Sequence, residues 1–256
     1  MSTDGSMKTS AGGQPEWVSG LRILVTGAAG ALGRVLVDEA VQQGAAVAAT
    51  GRDPGISDAV LPAGVQRIPA DLVDPSQCSS LIQRAAEGLG GIDVLINNAA
   101  VLTHGRIVDL ESADLEYSWA VNVRAPLLLT QAAIPFLKAS RSPVVVNIVS
   151  SAGFTGGVAP VTAYAMTKAA LIVFTKSAAR EFGRDGIRVV AVSPPTMESQ
   201  MQAALDDESR RTVRGANVLG RLFDVVEAAR LVLFVASPYG STVTGTTVDG
   251  TGAILS

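Results

Sequence analysis

Between Leu21 and Asp249 the chain alternates two hydrophobic patterns. Short runs rich in β-branched and other apolar residues ("RILVT", "AAVAAT", "VQRIPA", "IDVLIN", "PVVVNIV", "IRVVAVS", "TTVD") are separated by longer, alanine-rich stretches with apolar residues at helical spacing. The runs predict buried strands, and the stretches between them predict amphipathic helices near 31–43, 75–89, 111–138, 162–183 and 224–236. Strand and helix in alternation imply right-handed crossovers. The expected fold is therefore α/β, a doubly wound Rossmann-type domain whose parallel sheet of about seven strands carries helices on both faces.

Two stretches break the rhythm. Residues 1–16 are small, polar and glycine-rich and read as a disordered tail ahead of a single domain over 17–256. Residues 194–220 open on two prolines and continue as a mostly polar insert between a strand and the last helix. An insert beyond the C-terminal end of a strand is where a substrate lid sits; the alternative is a solvated surface excursion.

Composition narrows the function classes. With 256 residues, 48% of them hydrophobic, the chain can bury one large core. A formal charge of −3 provides no basic footprint, so nucleic acid is not an expected partner. Cys78 is the single cysteine, which rules out an intrachain disulfide and a cysteine-built metal site, and no metal-ligand cluster is visible. The tail lacks an apolar signal region and no uninterrupted apolar run approaches the roughly 18 residues of a membrane span. A soluble, cytoplasmic protein with no membrane partner is expected.

The candidate chemistry begins at "ILVTGAAGALG", Ile23 to Gly33, where a strand runs into glycines 27, 30 and 33 at the start of a helix. Glycines allow close approach to a helix N-terminus, whose free N–H groups and positive dipole end favour an anion such as a pyrophosphate. The spacing is G-x-x-G-x-x-G and not G-x-G-x-x-G, so the loop alone equally describes a tight turn with no ligand. "YAMTK" is more informative: four residues apart on a helix, Tyr164 and Lys168 share one face, and an ammonium beside a phenol favours the phenolate. Such a tyrosine can exchange a proton at neutral pH. Thirteen residues before it, Ser151 falls at a C-terminal strand edge, where its hydroxyl can hold a substrate oxygen. Asn122 is an amide within an otherwise apolar helical stretch; alone it reads as structural, and it gains weight beside Ser151 and Tyr164. His104, the one histidine, falls in a loop and reads as solvent-exposed.

"TGAAGALG" at 26–33, "ADL" at 70–72, "NNAA" at 97–100, Asn122, Ser151, Tyr164-x-x-x-Lys168 and "SPPTMES" at 193–199 together resemble the short-chain dehydrogenases/reductases over nearly all of residues 20–252. The resemblance implies a nicotinamide-dependent oxidoreductase interconverting a small-molecule carbonyl compound and its alcohol. It makes Tyr164 the acid/base and gives Lys168 two tasks, lowering the phenol's pKa and holding the nicotinamide ribose. Ser151 positions the substrate oxygen, and Asn122 holds a water that links Lys168 to solvent. Gly27, Gly30, Ala31, Leu32 and Gly33 hold the diphosphate, and Asp71 and Leu72 border the adenine. Asn97 and Ala99 line the cleft, while Pro194 and Ser199 lie at the nicotinamide. A homotetramer built on the two long helices is likewise implied.

This chain departs from the family pattern at Ala31 and Ala100, both in place of glycine, and at Pro195, which replaces the glycine of a Pro-Gly pair and fixes φ. Ser199 stands for the usual threonine and keeps its hydroxyl. Cofactor choice turns on "VAATGRDP". Gly51 occupies the position where members that use NAD usually carry an acidic residue, and Arg52 follows, able to pair with a 2′-phosphate. That favours NADP, with NAD open because Asp53 either turns toward the ribose or neutralises Arg52. A non-catalytic dinucleotide sensor is the remaining alternative. Val158, Met197, Met201 and the insert suggest an apolar, adaptable substrate pocket.

Overall fold

The computed structural model describes residues 16–157, 160–197 and 217–253. Seven strands, β1 (Arg22–Thr26), β2 (Ala46–Gly51), β3 (Gln66–Pro69), β4 (Val94–Asn97), β5 (Val144–Ile148), β6 (Arg188–Ser193) and β7 (Thr247–Asp249), form one sheet in the order β3-β2-β1-β4-β5-β6-β7. Every neighbouring pair is parallel. The helices are α1 (Ala31–Gln42), α2 (Gly55–Asp58), α3 (Pro75–Leu89), α4 (Ser112–Trp119), α5 (Ala125–Lys138), α6 (Ala152–Thr155), α7 (Thr162–Phe182) and α8 (Val225–Ala236).

Alternate strand residues face opposite ways, and both sets are covered. On one side Ile23, Val25, Val146 and Val190 pack with Leu36 and Val37 of α1 and Val232 and Leu233 of α8. On the other, Leu24, Leu95, Val145 and Val189 meet Leu81 of α3, Leu129 and Ala133 of α5 and Ala178 of α7. Burial on both faces explains the unbroken apolar runs: β5 has no exposed residue. The expected α/β sheet is what forms, and each long helix begins and ends within about a turn of its expected bounds.

Three elements were not legible. The four-residue helices α2 and α6 are too short for a periodic signal. The long segment near 111–138 is interrupted by a π-helical turn, Ala120–Arg124, between α4 and α5. Taken through the π turn, the helical segment Ser112–Lys138 is long and apolar enough to cross a membrane by length and composition only, a feature that uninterrupted apolar runs do not reveal. Its apolarity has a local cause, since Ala125, Leu129, Ala133 and Leu137 are completely buried against the sheet and α3.

Strand order reverses between β1 and β4, and this is the switch point where open α/β sheets bind ligands, outside the C-terminal strand ends.

Candidate active site

At that switch point β1 delivers Thr26 into the glycine turn and α1 begins. Gly27 has φ 64°, and a Cβ there would come within 2.7 Å of the Ala99 Cα. A Cβ on Gly33 would meet the Gly27 carbonyl oxygen at 2.2 Å, so the turn closes this tightly only with glycine at both positions. Ala31 is exposed at the start of α1 and borders the cleft. Gly30 caps α1 without a side-chain bond, leaving the first N–H groups facing outward.

Asn98 laces the end of β4 to this turn. Its backbone N–H donates to Thr26 Oγ1 at 2.9 Å, and its Nδ2 donates to the Thr26 carbonyl at 2.8 Å and the Gly27 carbonyl at 3.2 Å. The turn forms the floor of a cleft of about 310 Å³ lined by Gly27, Gly30, Ala31, Leu32 and Gly33. Arg52, Asp71, Leu72 and Ala99, all expected, complete the near wall. Residues not anticipated as lining also face it: Gly51, Ala70, Asn98, Tyr117 and Val121. Tyr117 and Val121 are four apart on the α4 run, a spacing that could have revealed them.

Arg52 is exposed and also borders a second, smaller hollow with Pro69 and Gln77. The Asp53 carboxylate accepts the Ser57 hydroxyl at 2.5 Å and borders the same hollow as Arg52, and among the described residues no carboxylate forms an ion pair with Arg52.

Beyond the cleft, α7 carries Tyr164 and Lys168 on one turn, with the Lys168 Nζ 5.5 Å from the centroid of the Tyr164 ring. Lys168 is only 2% exposed, and its ammonium donates to the Ile148 carbonyl at 2.8 Å. Burial without a carboxylate partner pushes its pKa down to about 8. The phenol behaves differently from the sequence expectation. Burial raises the pKa of Tyr164, and a hydrogen bond with the Ser150 hydroxyl pulls the other way. In this arrangement the ammonium bonds to the Ile148 carbonyl, and at the phenol burial outweighs the bond with Ser150.

The serine beside the phenol is thus Ser150 and not Ser151. Ser151 begins the α6 turn and lines a separate hollow with Phe154, Lys176 and Asp249. A similar correction applies to Asn97, which is buried in β4 and donates through Nδ2 to Asn147 Oδ1 at 2.9 Å, so Asn98 faces the cleft in its place. Asn122 sits in the π turn with its side chain bonded within the protein, leaving its side-chain donors none to spare for a water. Pro194 follows β6 on the same sheet edge, and Pro195 is buried against Gly250. Met197 packs against the core beside Phe223. His104 is exposed, as expected. Val158, Ser199, Met201 and all but the ends of the 194–220 insert lie outside the described residues.

The family whose profile is described as enoyl-(acyl carrier protein) reductase matches residues 27–251. The chain belongs to the short-chain dehydrogenase/reductase family. Its relatives include the 3-oxoacyl-[acyl-carrier-protein] reductase FabG of Thermotoga maritima, 31% identical over 91% of this chain and 96% of that protein. Nodulation protein G of a Rhizobium species is 32% identical over 93% and 98%. Among solved structures, a short-chain dehydrogenase from Burkholderia cenocepacia in complex with NADP matches with TM-score 0.83 and 30% identity, covering 93% of this chain and 98% of that one. A blue fluorescent protein from a metagenomic library in complex with NADPH matches with TM-score 0.84 and 29% identity over 94% and 100%. As a short-chain dehydrogenase/reductase, the chain is an NAD(P)-dependent oxidoreductase acting on a small molecule.

Proposed function

We propose that this protein is an NADP(H)-dependent enzyme interconverting a ketone and a secondary alcohol. The observation that carries the reading is the Ser150–Tyr164–Lys168 cluster at the sheet edge, beside a cleft floored by the glycine turn. The residues fit the cofactor. The open N-terminus of α1 suits a diphosphate, the Asp71–Leu72 wall suits an adenine, and Arg52, without an ion pair among the described residues, suits a 2′-phosphate. A nicotinamide dinucleotide bound there supplies or accepts the hydride.

The chain's own residues do the rest. Ser150 holds the substrate oxygen, and Tyr164 gives that oxygen a proton in reduction or takes one in oxidation. Lys168, one turn away, holds the nicotinamide ribose and supports the phenolate. The relatives named as 3-oxoacyl reductases support a carbonyl as the reacting group, and the two solved relatives, in complex with NADP and NADPH, support the cofactor. We further infer a cytoplasmic homotetramer: Leu127 and Val173 are exposed on α5 and α7, and an apolar hollow between these helices is bordered by Ile134, Phe174 and Phe182.

The test follows cofactor absorbance with a panel of ketones, 3-oxoacyl thioesters among them. Tyr164→Phe should abolish turnover and leave cofactor affinity nearly intact; retention of most of kcat would overturn the mechanism. Arg52→Ala should lose about ten- to a hundredfold in kcat/KM with NADPH and little with NADH. Equal losses, or a wild type that favours NADH, would remove Arg52 from cofactor choice.

A further inference from the structure

The π turn carries Asn122 into the interior with no exposed surface. Its Oδ1 accepts the Val101 N–H at 2.8 Å, and its Nδ2 donates to the Val101 carbonyl at 2.9 Å and to Thr167 Oγ1 at 3.0 Å. Thr167, 2% exposed, then donates its own hydroxyl hydrogen to the Tyr164 carbonyl at 2.7 Å. A helical threonine often returns its hydroxyl to its own helix, and that alone would be unremarked. Here the same oxygen also receives an amide from a different helix, and the burial of both groups keeps water from replacing either.

A continuous hydrogen-bonded path therefore runs from Val101, in the wall of the cleft, through Asn122 and Thr167 to the backbone of Tyr164. Lys168 is the next residue along the helix. We propose that Thr167 is a positioning residue, whose hydroxyl ties the turn bearing Tyr164 and Lys168 to the cleft wall and so sets where the phenol stands. This rests on the catalytic reading given above for Tyr164. The sequence offers no signal for it beyond a hydroxyl residue inside "YAMTK".

Thr167→Val removes the hydroxyl and keeps the shape, whereas Thr167→Ser keeps the hydroxyl. The Val variant should lose about tenfold or more in kcat, since small misplacements of a reacting group are costly, and should bind NADPH within about twofold of wild type. The pH at which its kcat falls by half should also move, and Thr167→Ser should restore both properties to within about threefold. Wild-type kcat and pH profile in Thr167→Val would overturn the proposal, as would a loss that Thr167→Ser does not restore. Thr167→Cys, with a weaker donor, covers the case in which the Val variant does not fold: an intermediate kcat is expected, and an unchanged one counts against the role. Tyr164→Phe belongs in the same series. If it stays active, the catalytic reading fails; if it is inactive beside a fully active Thr167→Val, only the role of Thr167 fails.

Discussion

Lys168 holds its ammonium at 2% exposure with a carbonyl, and no carboxylate, as its hydrogen-bond partner. The folded protein therefore carries a charge that the unfolded chain would solvate better. Its pKa falls from 10.5 unfolded to about 8 folded, so both states are protonated below about pH 8 and the cost is then fully present. Between those values the unfolded chain retains a proton that the folded chain has released, and stability rises with pH. The shift corresponds to about 3 kcal/mol, reduced by the loss of the bond to Ile148 when the lysine is replaced. Lys168→Met should thus be more stable than wild type at pH 7 by about 1–3 kcal/mol and lack the rise from pH 8 to 10.5. Denaturant titrations at pH 7 and pH 9.5 read this directly, and equal pH slopes in the two proteins would contradict it. The serine pair provides a second residue-scale prediction. Ser150→Ala should lower kcat/KM by about a hundredfold through loss of the bond to the reacting oxygen, while Ser151→Ala stays within about threefold. The reverse order would return the role to Ser151.

At the scale of elements, α8 shows how a helix on one face of the sheet is held in place. Asp224 accepts the Val226 N–H at 2.8 Å, Glu227 reaches back to the Asp224 N–H at 2.9 Å, and Arg221 grips the Glu227 carboxylate at 2.7 and 2.8 Å. Arg221 first, and the Asp224 N–H after it, hold the Glu227 carboxyl down at about 2. Its contribution is present above the ordinary carboxylate pKa and is lost as pH falls through about 2. Asp224→Ala should cost about 1 kcal/mol, because α8 packs on the core and its first turn opens only with the rest. A chemical-denaturation midpoint equal to wild type would show that the cap contributes nothing. The alternation of strands and long helices was legible because burial on both faces leaves continuous β-branched runs, whereas the π turn has no periodic signature. Doubled residues defeated spacing as a guide: in "SS" and "NN" the pattern cannot tell which member faces the site. Only the turn out of β5 aims Ser150 at Tyr164, and only the end of β4 turns Asn97 to the core and Asn98 to the cleft.

In the whole molecule, the reversal of strand order, the glycine turn and the start of α7 converge on one edge of the sheet, with the cleft and the Ser150–Tyr164–Lys168 cluster side by side. That convergence supports the proposed carbonyl–alcohol chemistry, under which hydrogen passes directly between cofactor and substrate carbon while the proton on oxygen comes from the protein. Deuterium tracing follows the hydrogen on carbon, and Tyr164→Phe tests the proton donor, because a hydroxyl hydrogen exchanges with water. NADPH carrying deuterium at the transferring position of the nicotinamide is incubated with the protein and an accepted ketone in ordinary water, and the alcohol is analysed by mass spectrometry. The account predicts one deuterium on the carbinol carbon, with no labelled alcohol from Tyr164→Phe. An alcohol whose carbinol hydrogen comes from solvent, or an equally labelled product from Tyr164→Phe, would contradict it.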